Sequence, residues 1–215
     1  MELERYLDHT ILKPDAAKEQ VERVCREALE YHFASVCVNQ YRTKMAAELL
    51  KGSDVKVCTV IGFPLGAVTT DVKVAETKAA IADGAREIDM VMNIGALKDK
   101  DYLYVLNDIK SVKEVCGSLI LKVIIETCLL DDDEKKKACE IAVEAGADFV
   151  KTSTGFSTGG AKPEDVAVMK STVGKNAMVK ASGGIHNYNQ AMEMIDSGAD
   201  RIGTSAAVEI ILGKK

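Results

Sequence analysis

The sequence predicts an α/β barrel of eight strand–helix units, a (β/α)8 or TIM barrel, filling a single domain over residues 1–215. Three observations predict it. Short runs rich in Val and Ile alternate with amphipathic stretches along the whole chain. The runs are apolar nearly throughout, as strands are in a parallel sheet covered by helices. No Pro-rich or Ser-rich linker and no shift in composition marks a second domain, and 215 residues is an ordinary length for a one-domain barrel. The rival, an open doubly wound sheet, would be favoured by a GxGxxG fingerprint after its first strand, and the chain has none.

In chain order, the first strand is the weakest, near 8–12 (DHTIL). Stronger runs follow at 34–38, 55–61, 86–92, 119–126, 148–152, 177–181 and 200–204. Between them lie helices. In 15–31, Val21, Val24, Cys25, Ala28 and Leu29 fall on one face, with Asp15 after Pro14 as the expected N-cap region. Tyr102, Val105, Leu106, Ile109, Val112 and Cys116 make one apolar stripe over 101–116. The helix over 131–145 opens with Asp131, Asp132, Asp133 and Glu134, which suit the positive end of its dipole. Further helices are expected at 41–51, 70–83, 163–173, 187–197 and 205–212. Three segments, DGAREID (83–89), AGADFVK (145–151) and SGADRIG (197–203), share one corner: a small residue, Gly and a strand. Glycine after a helix takes the left-handed conformation cheaply.

Composition narrows the function. The formal net charge is −5, with acidic and basic residues intermixed and no basic stripe, which argues against nucleic acid as a partner. No apolar run reaches the ~18 residues of a membrane span. The charged N-terminus lacks a signal-peptide core, so a cytoplasmic location is expected. The six cysteines are scattered without a CxxC pair and read as reduced thiols. His9, His32 and His186 form no HxH or HExxH spacing, so no metal is expected.

The informative residues are charges inside apolar strands. Five residues beyond the corner glycine stand Asp89 in the first copy and Lys151 in the second, and Lys180 lies near the end of the next strand. Strand ends on the C-terminal face of a barrel point into the site. A buried charge there is costly unless it is paired or functional. A lysine amine attacks a carbonyl only when neutral, and a neighbouring ammonium with partial burial favours that form. The resulting iminium is an electron sink that weakens the adjacent carbon–carbon bond, while an Asp and the second Lys move protons. The bland alternative is a structural ion-pair group. Three glycine- and hydroxyl-rich segments, 152–160, 181–185 and 202–207, follow successive strands and can cradle an anion with backbone N–H groups.

LDHTILKP (7–14), EIDMVMN (87–93), LKVIIET (121–127), DFVKTSTGFSTGGA (148–161), VKASGGI (179–185) and RIGTSAA (201–207) together closely resemble the deoxyribose-phosphate aldolase family across essentially the whole chain. The resemblance implies a cofactor-free, metal-independent aldolase. It would reversibly cleave 2-deoxy-D-ribose 5-phosphate to D-glyceraldehyde 3-phosphate and acetaldehyde. By resemblance, Lys151 is the Schiff-base lysine, Lys180 the second lysine that perturbs it and joins the proton relay, and Asp89 the carboxylate of that relay. Gly155, Gly183, Gly184, Gly203 and Ser205 match phosphate-holding positions. Asp8, Cys37, Lys122 and Thr154 are further pocket candidates. Such enzymes serve deoxynucleoside catabolism in the cytoplasm and are often dimers, so a small-molecule sugar phosphate and a homodimer are the expected partners. Some members carry a C-terminal Tyr and a Lys after the KTSTG segment. Here the sequence ends ILGKK and the second position is Phe156, while Ala206 replaces a Ser seen in some relatives. Phosphate binding is therefore expected to rest on backbone N–H groups and Ser205.

Several candidates carry a second reading. Asp8 either joins the site or caps the turn to His9. Lys122 and Glu126, four apart on one expected strand, suggest an ion pair behind the site. Cys37 is either pocket lining or a buried small hydrophobe. His186 is expected to cap a helix or face solvent. Rival functions are another phosphate-binding barrel enzyme, metal-dependent or an isomerase, and a barrel that only binds a sugar phosphate. The paired strand lysines argue against the first, and retention of Lys151, Lys180 and Asp89 against the second.

Overall fold

A strand apolar on both faces needs a partner at each edge and cover on each face. In the computed structural model of the chain, which describes residues 2–213, the eight runs meet this need by closing on themselves. The strands β1 (Leu7–Ile11), β2 (Ser35–Val38), β3 (Lys56–Ile61), β4 (Glu87–Val91), β5 (Ile120–Ile124), β6 (Phe149–Lys151), β7 (Met178–Ser182) and β8 (Arg201–Thr204) pair in chain order. Every pairing is parallel, and β8 returns to β1 with Leu7 opposite Ile202. The closed barrel is the predicted one.

Nine helices surround it among the described residues: α1 (Lys18–Tyr31), α2 (Thr43–Leu49), α3 (Thr70–Ala82), α4 (Ile94–Lys98), α5 (Tyr102–Cys116), α6 (Asp132–Glu144), α7 (Pro163–Val173), α8 (Tyr188–Asp196) and α9 (Ala207–Leu212). Eight match expected helices. The ninth, α4, is a single turn started by the Asn93 side chain, which accepts from the Ala96 N–H, and its five residues are too few to show a period. The α1 N-cap is Ala17 rather than Asp15, and its N–H donates to the Gln20 side chain at 2.8 Å. At α6 the acidic opening is a capping box, with Asp131 and Glu134 satisfying each other's backbone N–H.

The repeated corner is one structure used three times. Gly84, Gly146 and Gly198 all have positive φ, at 102°, 83° and 110°. In each, the next N–H reaches back five residues: Ala85 to Ala80, Ala147 to Ala142, Ala199 to Met194. In the last two copies the following Asp braces the start of the neighbouring strand. Asp148 accepts from the Leu121 N–H and Asp200 from the Val179 N–H, both at 2.8 Å.

The main core lies between the outward strand faces (Ile88, Met90, Leu121, Val123, Val150, Val179) and the helices. Inside the barrel a smaller apolar cluster, Leu12, Cys37, Cys58 and Val60, fills the β1–β3 side, and charged side chains share the other side with Val91, Ile124 and Phe149. All six cysteines are free thiols, and only Cys128 is more than marginally exposed. Burial pushes the Cys25 and Cys116 thiols up to about 11 and Cys139 up to about 12. Under native conditions an aromatic disulfide reagent is expected to titrate Cys128 rapidly and the other five only on unfolding. Two or more fast thiols would contradict this packing.

Candidate active site

The period-two alternation of the strands sends Asp8 of β1, Glu87 and Asp89 of β4, Lys122 of β5, Lys151 of β6, Lys180 of β7 and Arg201 of β8 into the barrel interior. Register then decides who meets. Asp89 stands opposite Lys122, Lys151 opposite Lys180, and Lys180 opposite Arg201.

Asp89 is the hub. Its Oδ2 accepts from Lys151 Nζ and from Lys180 Nζ, both at 2.8 Å. Its Oδ1 accepts from Lys122 Nζ at 2.7 Å and from the Cys58 thiol at 3.1 Å. Behind it, Asp8 forms ion pairs with Lys180 at 2.5 Å and Arg201 at 2.7 Å, and Glu87 with Lys122 at 2.6 Å. For Asp89, Lys180 and Lys122 burial opposes the charge, but the partners outweigh it. The three lysines hold the Asp89 carboxyl well below the usual carboxylate range. Asp8 and Asp89 hold the Lys180 ammonium above the usual lysine range. Asp89 and Glu87 do the same for Lys122.

Three carboxylates thus face four cations. Lys180 and Lys122 are fully buried, whereas Lys151 reaches the wall of a cavity of about 550 Å³ at the C-terminal strand ends. Loss of the Lys151 proton brings the cluster to neutrality. An amine at the cavity, sharing one carboxylate oxygen with a second ammonium, can attack a carbonyl and exchange protons through that oxygen.

Of the other predicted residues, Thr154, Gly155, Gly183, Gly184, Gly203 and Ser205 all line this cavity. Gly155, Gly183 and Gly184 have φ of 83°, 86° and 78°, a conformation cheap only for glycine. Gly203 is needed for another reason: a Cβ there would lie 2.9 Å from Lys180 Cε and 3.0 Å from Ser182 Cβ. Asp8, Cys37 and Lys122 do not line the cavity. All three are fully buried and do not reach its wall. Asp8 caps no turn and holds Lys180. Cys37 is a buried small hydrophobe whose thiol is lowered by its hydrogen bond with Cys58. His186 is exposed at the cavity rim, and Asn187, not His186, caps α8. Cys37, Cys58 and Asp89 bring three ligand-type atoms within 4.8 Å. Lys122 Nζ lies 3.4 Å from the Cys58 sulfur, and three ammonium groups already hold Asp89, so a dication there would meet like charge.

The expected Lys122–Glu126 pair does not form. The strand ends at Ile124, and Glu126 turns left-handed at φ 54°, which breaks the alternation that would have aligned the two. Its buried carboxylate instead accepts from the Thr154 N–H at 3.2 Å and from the Thr154 hydroxyl, whose oxygen accepts from the Phe156 N–H at 3.0 Å. Glu126 therefore anchors the loop after β6, a role visible only once the loops are folded together. Glu126→Ala leaves a buried N–H and hydroxyl without an acceptor and is expected to cost about 1–3 kcal/mol in urea unfolding, while Glu126→Gln, which still accepts, costs less than about 1. Equal losses in both would refute the anchor.

The chain can now be set beside known proteins. The model of the DeoC/LacD family aldolases matches residues 5–210. The deoxyribose-phosphate aldolase of Clostridium tetani is 62% identical over 212 residues, covering 98% of each chain. That of Brevibacillus brevis is 60% identical over 215 residues, covering 100% of this chain and 97% of the relative. A solved tetrameric deoxyribose phosphate aldolase from Aeropyrum pernix superposes with a TM-score of 0.91 at 35% identity, covering 98% of this chain and 89% of the other. A full-length match at this identity, on a barrel with a lysine amine at its cavity, fixes the kinship: the chain belongs to the DeoC/LacD family of aldolases.

Proposed function

We propose that this aldolase reversibly cleaves 2-deoxy-D-ribose 5-phosphate to D-glyceraldehyde 3-phosphate and acetaldehyde through a Schiff base on Lys151. The observation that carries the reading is that Lys151 alone among the three clustered lysines reaches the cavity while sharing Asp89 Oδ2 with Lys180. The amine adds to the open-chain aldehyde and loses water to give an iminium. The hydroxyl at C3 gives up its proton, the C2–C3 bond breaks, and its electron pair passes into the iminium as an enamine. The aldehyde fragment that carries the phosphate departs. Protonation of the enamine carbon and hydrolysis release acetaldehyde and regenerate the amine. Asp89 and Lys180 carry protons to and from Lys151, with Lys180 remaining the cationic neighbour. The glycine N–H groups of 155, 183, 184 and 203 and the Ser205 hydroxyl take the phosphate end.

The reading also supplies a deoxyribose-phosphate catabolic role in the cytoplasm, no metal requirement, and assembly as a homodimer, which light scattering would register as twice the 23.2 kDa chain mass. The deciding experiment is borohydride reduction in the presence of acetaldehyde and excess EDTA, with the adduct mapped by mass spectrometry. A reduced two-carbon adduct on Lys151 is expected. A folded protein with no adduct, or one modified elsewhere, would remove the mechanism.

A further inference from the structure

The charge of the cavity wall is one-sided. Its lining carries Lys13, Arg23 and Lys151 and not one Asp or Glu, on a chain whose overall charge is −5. Lys151 belongs to the reacting end. Lys13, two residues beyond β1, makes no ion pair among the described residues. Arg23, on α1, has only a long 3.9 Å contact with Glu27, whose carboxylate is taken more closely by His9 at 2.6 Å. Both cations are exposed, and neither is needed to balance a buried carboxylate. On the other side of the mouth the residues of the loop after β6 that line the cavity, Thr154, Gly155 and Phe156, carry no charge: Phe156 is half exposed and packs edge-on against Phe63, with ring centroids 5.3 Å apart. Barrel closure sets β1 beside β8, so the segment bearing Lys13 neighbours the segment bearing Gly203 and Ser205.

We propose that Lys13 and Arg23 form a cationic arm that binds the phosphate of the substrate and sets the preference for phosphorylated over neutral sugars. The inference rests on the sugar-phosphate reading above and adds to it the charge that neutral N–H donors and a hydroxyl do not provide. A phosphate dianion is held best by charge-assisted bonds, with the planar Arg fork giving direction and the Lys a mobile point charge. Because both side chains are exposed and the one contact, Arg23 with Glu27, is long, binding breaks no close ion pair. The arm acts on affinity, remote from the bond that breaks.

The test is Lys13→Ala combined with Arg23→Ala, assayed on 2-deoxyribose 5-phosphate and on unphosphorylated 2-deoxyribose, with inorganic phosphate as competitor. The expected result is a rise of about tenfold or more in KM for the phosphorylated sugar, with kcat within about twofold and kcat/KM for the neutral sugar unchanged. Competition by inorganic phosphate weakens in parallel, and the charge-conserving pair Lys13→Arg with Arg23→Lys recovers most of the affinity. An unchanged KM, or equal losses on both sugars, overturns the arm. Borohydride trapping of acetaldehyde, which has no phosphate, keeps the two readings apart. If trapping persists in the double alanine variant while KM is unmoved, only the arm fails. If the parent itself forms no adduct, the aldolase mechanism fails first.

Discussion

Lys151→Ala is expected to lower kcat/KM for carbon–carbon cleavage by about 10⁴-fold or more and to abolish the borohydride adduct, while leaving the fold intact. The loss is large because the amine supplies the electron sink itself, and neither Lys180 nor Lys122 can take its place. Both are fully buried, pinned to Asp89 and to a second carboxylate, and held protonated above the usual lysine range. The fold should survive because the cluster loses its one surplus cation, leaving three carboxylates against three. Steady-state cleavage and thermal unfolding of the same preparation check both halves. Residual activity above about a hundredth of the parent would show that Lys151 is not the nucleophile.

Asp89→Asn should have a second large effect, of a different kind. It removes the negative charge shared by three ammonium groups, keeps only one accepting oxygen, and leaves four cations facing two carboxylates inside the barrel. Breaking a buried pair from one side typically costs about 3–5 kcal/mol, so a marked fall in the urea midpoint is expected together with loss of turnover. The pH dependence has a definite sign. The folded Asp89 carboxyl sits well below its unfolded value, because the lysines outweigh the burial that opposes its charge. Its contribution is therefore complete above the ordinary carboxylate pKa of about 3.9 and is lost as pH falls through the folded value. Lys180 is raised, by Asp8 and Asp89 against burial, so its contribution is complete below about 10.4 and is lost as pH rises through its folded value. The stability gap between the parent and Asp89→Asn should be level between about pH 5 and 9 and narrow under stronger acid. A gap that grows as pH falls from 7 to 5 would contradict a depressed Asp89. Turnover without a stability loss would mean that the cluster is not the tightly paired one described.

Much of this was legible from residues alone, and the reason is local. Corner glycines announce themselves because positive φ is cheap only for glycine, and counting from them places Asp89 and Lys151 at matched depths. Burying a charge is expensive enough that a charge inside an apolar strand marks itself as special. What could not be read was partnership. Asp8 was ambiguous because its partners, Lys180 and Arg201, lie over 170 residues away in sequence. Glu126 was assigned the wrong partner because one left-handed residue ended the strand two positions early. Cys37 and Lys122 are buried off the cavity wall, because which inward side chains stay uncovered depends on how the loops and strands pack together and not on sequence spacing.

The sequence by itself determined the closed eight-strand order, the helices between the strands, the family, and the residue types that converge on the cavity. Each of these depends on periodicity, turn chemistry or a contiguous motif, all of which are encoded within a few residues. Only the tertiary structure decided which charges touch: that Asp89 joins three lysines, that Lys151 alone of these reaches the cavity, and that Lys13 and Arg23 share its wall. Those facts depend on barrel closure and strand register, which bring distant positions within hydrogen-bond range and no local pattern records.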